Sequence, residues 1–307
     1  MGYKLAGYNV IGNCEIDVKM NELYTANHHP KYNYRMDIRK FKELDTLPDE
    51  LYNLDILDGS PPCSAFSIAG DREKAWGKTK VFREGQTAQT LDDLFFEYID
   101  VAEKLWPKVI IAENVKGLIQ GNAKGYVNEI LKRINAIGYT AQIFLFNAAF
   151  MGVPQRRERV FIIARRKDLH LKNLAFKFTD QPITYGEIRQ GEGKPIGKTS
   201  LLYERWKHRR PTDKNLGDIV ERLQGRHSNF GTQIYHNNKV ANTLLSGGQY
   251  VRYDEPCYIS DMDMIHIQTF PEDYNFLNQS VQYVCGMSVP PLMMARIAEQ
   301  IYLQWFK

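Results

Sequence analysis

The chain has 307 residues, 43% of them hydrophobic and 25% charged, with 40 Lys and Arg against 36 Asp and Glu. That length and composition support buried cores, most simply in two domains, and exclude a disordered or fibrous polypeptide. Cysteines at 14, 63, 257 and 285 lack the short paired spacings of a zinc site or a disulfide framework, so no metal is expected and a reducing, cytoplasmic setting is; no leader pattern or membrane-length apolar run is read.

In chain order, Tyr8 to Glu15 reads as a strand ending in a carboxylate, followed by a helix from about Asp17 to Asn27 that stops at His28-His29-Pro30. The apolar run Leu54-Asp55-Ile56-Leu57 is a strand leading into Pro61-Pro62-Cys63-Ser64, which presents a cysteine just past a strand end. Leu91, Leu94, Phe95, Tyr98, Ala102 and Leu105 recur at helical spacing until Pro107. Lys108 to Glu113 is a buried strand with a carboxylate at its exit. A second helix, Tyr126 to Ile137, ends at Gly138 and precedes strands at Thr140 to Phe146 and Arg159 to Ala164. Alternation of strands and helices over the first 165 residues predicts an α/β domain with a parallel sheet covered on both faces.

Open parallel sheets bind ligands outside the carboxyl ends of their strands, where Glu15, Asp37, Cys63 and Glu113 are expected to converge. A glutamate in such a place accepts both hydroxyls of a ribose, and Asp37 can accept from an adenine amino group, which implies an adenosyl cofactor. Taken singly, each acid is more often a helix cap or a turn residue, and a lone cysteine more often fills a core; their joint order is the argument. Ser67 to Gln89, with Gly70, Gly77, Gly85 and six Lys, Arg or Trp residues, reads as a lid directly after the cysteine. Residues 201–240 carry eight Lys or Arg against four acids, interleaved with Trp206, Phe230 and Tyr235, a mixture suited to nucleic acid or to a solvated face.

Pro-Pro-Cys63-Ser, Glu113-Asn114-Val115, Gln155-Arg156-Arg157-Glu158-Arg159 and Gly286-Met287-Ser288-Val289-Pro290-Pro291 occur in one order over nearly the whole chain. In these blocks the sequence resembles the DNA (cytosine-5) methyltransferases. The resemblance implies a Rossmann-like S-adenosylmethionine-dependent sheet in residues 1–166, a smaller target-recognition domain in 167–276, and a helix in 277–307 that returns to the first domain. It implies Cys63 as nucleophile, Glu113 on the ring nitrogen 3 and amino edge of cytosine, and Arg159 on oxygen 2 with Arg157 beside it. Glu15, Asp37, Pro61 and Ser288 are the implied cofactor contacts. The implied partner is double-stranded DNA with the target base flipped out, methylated by a monomer of restriction-modification or orphan type, the former beside a restriction endonuclease.

Departures from the family pattern set further expectations. The family's first strand and glycine-rich loop, Asp-Leu-Phe-Ser-Gly-x-Gly-Gly, have no counterpart, and Gly2 to Gly7 reads as the end of the following helix, so the sheet's hydrogen-bond ladder is expected to be interrupted. The family's Gly-Asn-Ser is Gly286-Met287-Ser288, and its Arg-Leu before Phe-Pro is His266-Ile267. Two alternatives follow: a DNA-binding relative with impaired cofactor binding, and a transfer-RNA enzyme, against which Ser64-Ala65-Phe66-Ser67 resembles the DNA-directed pattern.

Overall fold

The computed structural model describes residues 1–62, 94–121, 123–228 and 231–307, with the backbone alone at 79–80 and 89–90. Cys63 and the expected lid lie outside the described residues, apart from the antiparallel backbone pairing of Thr79–Lys80 with Gln89–Thr90. The chain forms two compact units: Ile11–Phe146 with Glu158–Ala175 and Leu303–Lys307, and Met1–Val10 with Asn147–Arg157 and Phe176–Tyr302. These cut the chain differently from boundaries at 166 and 276, because residues 1–10 and 147–157 associate with the later half.

Besides the short pairing of 79–80 with 89–90, the described residues of the first unit form the strands β1 (Gly12–Cys14), β2 (Tyr32–Tyr34), β3 (Ile56–Gly59), β4 (Val109–Val115), β5 (Tyr139–Asn147) and β6 (Glu158–Arg166). Four form one sheet in the order β3-β4-β6-β5. Helices Leu94–Leu105 and Ala123–Ala136 bury Phe95, Tyr98, Ile99 and Ala102, and Val127, Ile130 and Ile134, in one cluster with Ile110, Ala112, Ile162 and Ala164 of the sheet. Both helices show the apolar spacing expected of a face turned to a core. The helix Val18–His28 is capped by Asp17, whose side chain accepts from Lys19 and Met20 N–H, and it ends where His29 turns left-handed at φ 46° before Pro30.

The parallel expectation holds for only part of the sheet. β3 and β4 are parallel, whereas β6 runs antiparallel to β4, with Val115 opposite Arg159 and Val109 opposite Arg165. A parallel crossover needs a dozen or more residues, usually including a helix. Between β5 and β6 lie only residues 148–157, with one 3-10 turn and a two-residue strand, so β6 enters beside β4 with its direction reversed. β1 and β2 form their own parallel ladder, Gly12 with Tyr32 through Cys14 with Tyr34. Among the described residues it is separate from the four-stranded sheet.

The second unit has short elements. Gly2–Leu5 is helical, as expected, and packs on the helix Pro291–Ile301 so closely that a Cβ on Gly2 would lie 2.5 Å from Met294 Cβ. Helices Leu201–Lys207 and Leu216–Gln224 close over Ile196, Ile234 and Val251. Among the described residues no helix is long and apolar enough to cross a membrane.

Candidate active site

Strand register places three side chains in one row. Gly59 pairs with Ala112 at the end of the parallel β3–β4 ladder, so Ser60, one residue on, falls beside Glu113. Arg159 is opposite Val115, two residues from Glu113 on the same face, a diagonal neighbour within reach of long side chains. The contacts follow that geometry. Arg159 Nε lies 3.0 Å from Glu113 Oε1, with the two side chains only 15% and 12% exposed. Ser60 Oγ donates to Glu113 Oε2 at 2.9 Å. One carboxylate is thus held on both oxygens by donors from its two neighbouring strands. Burial pulls the Arg159 guanidinium down from its ordinary value while Glu113 opposes the shift; the arginine still carries its charge at neutral pH.

The strand end that carries Ser60 is locked from two sides. Asn114, buried, donates from Nδ2 to Pro61 O at 3.0 Å, which fixes the first of the two prolines leading to Cys63. Tyr98 Oη lies 2.9 Å from Leu57 O and 2.8 Å from Ile111 O, joining β3 to β4. Gly59 makes room for that ring, since a Cβ there would meet Tyr98 Cε2 at 2.5 Å. Ser60 and the tie made by Asn114 escaped the sequence reading; the signal for Ser60 was its position opposite Glu113, legible only once the register is known.

Glu15 and Asp37 stand just past β1 and β2, as expected. Glu15 Oε1 accepts from Asp17 N–H at 2.7 Å, and burial raises its pKa above the ordinary carboxylate range. Ile16 N–H also bonds the carboxylate, and a glutamate so placed just past β1 offers the acceptor lone pairs that suit a ligand bearing hydroxyl donors. Asp37 is more committed, capping the helix Ile38–Glu43 through Arg39 N–H and pairing with Arg39 Nη1 at 3.3 Å. Desolvation pushes the Cys14 thiol up to about 12, aided by Glu15 and Asp37, and burial raises Cys257 and takes Cys285 to about 12. None of these three cysteines is thereby a ready thiolate.

The family model for C-5 cytosine-specific DNA methylase matches residues 1–303. The chain belongs to the C-5 cytosine-specific DNA methylase family. It is 34% identical to the Type II methyltransferase M.FnuDI of Fusobacterium nucleatum over 337 residues, covering 98% of this chain and 90% of that protein. It is also 34% identical to M.NgoPII of Neisseria gonorrhoeae over 176 residues, 56% of this chain and 46% of that one. In fold it is similar to a crystal structure described as a prophage-encoded E. coli DNA modification methyltransferase, with TM-score 0.67, 19% identity and coverage of 100% and 95%. Spodoptera frugiperda DNMT2 gives 0.66, 16%, and 98% and 95%.

In this cytosine-5 methylase the remaining motif blocks tie the second unit together. Arg157, expected beside Arg159, is 1% exposed and donates from Nη1 to Leu244 O at 2.9 Å and from Nη2 to Gly286 O at 2.8 Å. The physical reason is a break in the strand: Gln155–Arg156 pairs with Ala241–Asn242, and β6 starts afresh at Glu158, so Arg157 does not share the alternation of Arg159. Gln155, fully buried, donates to Gln268 Oε1 and Ile267 O and accepts from Leu244 N–H. Gln268 in turn donates to Ser288 O. Ser288 Oγ donates back to Val284 O at 2.6 Å, leaving only its acceptor capacity for a ligand.

The basic segment divides in two. Trp206 and Tyr235 are core residues, 6% and 2% exposed, not surface platforms, and Phe230 lies outside the described residues. Arg209 stacks on Trp206 at 3.3 Å from the ring centroid and bonds Tyr253 O, while Arg222 pairs with Asp213 at 2.7 Å. Arg210, Lys214 and Arg226 remain exposed. In the same unit Arg252, 2% exposed, meets fully buried Asp263 at 2.8 Å, and Asp263 also accepts from Tyr185 Oη, Gln190 N–H and Ser260 N–H. Asp263→Ala is expected to cost about 3–5 kcal/mol by stranding a buried cation, read from urea unfolding, whereas Arg252→Met with Asp263→Leu strands none and costs less. Equal losses in the two variants would contradict that account.

Proposed function

We propose that this methylase transfers a methyl group to carbon 5 of a cytosine flipped out of duplex DNA, through a covalent bond from Cys63 to carbon 6. The observation that carries the reading is the Glu113 carboxylate held by Arg159 and Ser60 at the strand ends, with Ser60 directly preceding Pro61-Pro62-Cys63 in the sequence. As the sulfur bonds to carbon 6, the carbon 5–carbon 6 π pair moves to form a carbon 4–carbon 5 double bond. The former carbon 4–nitrogen 3 π pair settles on nitrogen 3, which takes a proton from Glu113 in its carboxyl form, the carboxylate having first taken that proton from solvent. S-adenosylmethionine supplies a methyl group as an electrophile. Carbon 5 bonds the methyl through the carbon 4–carbon 5 π pair while the methyl–sulfur pair stays with the donor, and nitrogen 3 returns its proton to Glu113; a solvent base then takes the carbon 5 proton, and the freed pair re-forms the carbon 5–carbon 6 double bond and expels the Cys63 thiolate. Arg159 holds the carboxylate and is in place to donate to oxygen 2.

Glu15 is the residue best suited to the cofactor's ribose, with Asp37, Pro61 and Ser288 as further contacts from the family pattern. In this reading residues 1–166 serve mainly catalysis, 167–276 recognise the target, and the segment 277–307 rejoins the catalytic domain at its end, where Leu303–Lys307 cluster with the first unit. A Type II relative supports a cognate restriction endonuclease as functional partner, with the methylase acting as a monomer. The test is transfer from methyl-labelled S-adenosylmethionine to duplex DNA and to transfer RNA. Label at cytosine carbon 5 of the duplex is expected; label in transfer RNA alone, or no saturable cofactor binding, overturns the reading.

A further inference from the structure

We infer that Ser60 is a positioning residue that fixes the plane of the Glu113 carboxylate for the cytosine edge; the inference rests on the covalent reading above. A glutamate side chain turns about three torsions, and the terminal one is broad. The bond from Arg159 Nε to Oε1 at 3.0 Å locates one oxygen and leaves the carboxylate free to swing about it. Ser60 Oγ on Oε2 at 2.9 Å removes that freedom, and a carboxylate held at both oxygens keeps its outward lone pairs in one plane. That plane is what a flat base edge must meet at nitrogen 3 and the amino group.

Ser60 is suited to this by chemistry and by place. A hydroxyl both donates and accepts, so it stays bonded to Oε2 while the carboxyl gives up and regains a proton, a change that a cation cannot follow. Its own position is set by Gly59, which must lack a Cβ beside Tyr98, and by Pro61, whose carbonyl Asn114 holds. Ser60 is exposed and contributes little to the core, so its loss separates positioning from folding.

The experiment compares wild type, Ser60→Ala and Ser60→Thr in two assays: methyl transfer to duplex DNA, and exchange of the cytosine carbon 5 hydrogen with solvent, which sulfur addition permits without any methyl donor. A small misplacement of a reacting group costs up to about 10²-fold. Ser60→Ala is expected to lower kcat and the exchange rate together by about 10–100-fold, leave KM for duplex within about twofold, and be rescued by Ser60→Thr. Wild-type rates in Ser60→Ala overturn the inference and leave the covalent reading standing. Absence of both transfer and exchange in the wild-type protein overturns that reading, and the role of Ser60 with it.

Discussion

Cys63→Ala is expected to abolish methyl transfer, with a loss on the order of 10⁴–10⁶-fold, the scale on which covalent enzymes respond to removal of the attacking group. Carbon 5 of cytosine is a poor nucleophile because its π electrons are shared with the ring, and sulfur addition at carbon 6 is what localises them. The other three cysteines do not substitute, since desolvation keeps Cys14, Cys257 and Cys285 as thiols. A duplex carrying 5-fluorocytosine gives an independent readout, because fluorine cannot leave as a cation and the sulfur–carbon bond persists. Wild type is expected to form a denaturant-stable adduct and the alanine variant none; methylation that continues in Cys63→Ala removes the covalent step.

Glu113→Gln is expected to lower kcat by about 10²–10⁴-fold, the usual worth of a positioned proton donor and acceptor, while duplex affinity changes little. The amide keeps the volume of the carboxyl but loses one acceptor. Arg159 Nε requires an oxygen at 3.0 Å, so the amide nitrogen is turned toward Ser60 and the base edge, where it sets a donor against the cytosine amino donor and has no acidic proton for nitrogen 3. Circular dichroism and a urea midpoint close to wild type separate this effect from unfolding. A kcat within about threefold of wild type would remove Glu113 from the chemistry.

The parts of the fold legible in the sequence are those where many residues agree. Leu94–Leu105 and Ala123–Ala136 bury apolar residues at helical spacing, and β4 is an apolar run of strand length. Strand direction was not legible, because an apolar run reads the same either way; the shortness of the 148–157 connection was the available clue. Arg157 and Arg159 show a second limit. Two residues apart, they share a face only in an unbroken strand, and the restart at Glu158 gives Arg157 to the carbonyls of Leu244 and Gly286. In residues 167–276 the difficulty is short elements: Tyr250–Arg252 has three residues, and the buried pairing of Arg252 with Asp263 depends on contacts that no local periodicity encodes.

The antiparallel β4–β6 pairing has a consequence for tolerance to insertions. Glu113 lies near the exit of its strand and Arg159 near the entrance of the facing one, so their meeting depends on the register in which β6 pairs with β4. One extra residue inside the start of β6 would send the guanidinium through the sheet to the opposite face, since side chains alternate at every step. Two would restore the face but displace it by roughly 6–7 Å along the strand, beyond reach of the carboxylate. Lengthening the 148–157 connection itself leaves the pairing intact, so changes in loop length and changes in strand length a few residues apart should differ in kind: the first alters how the strand arrives, and the second dismantles the site.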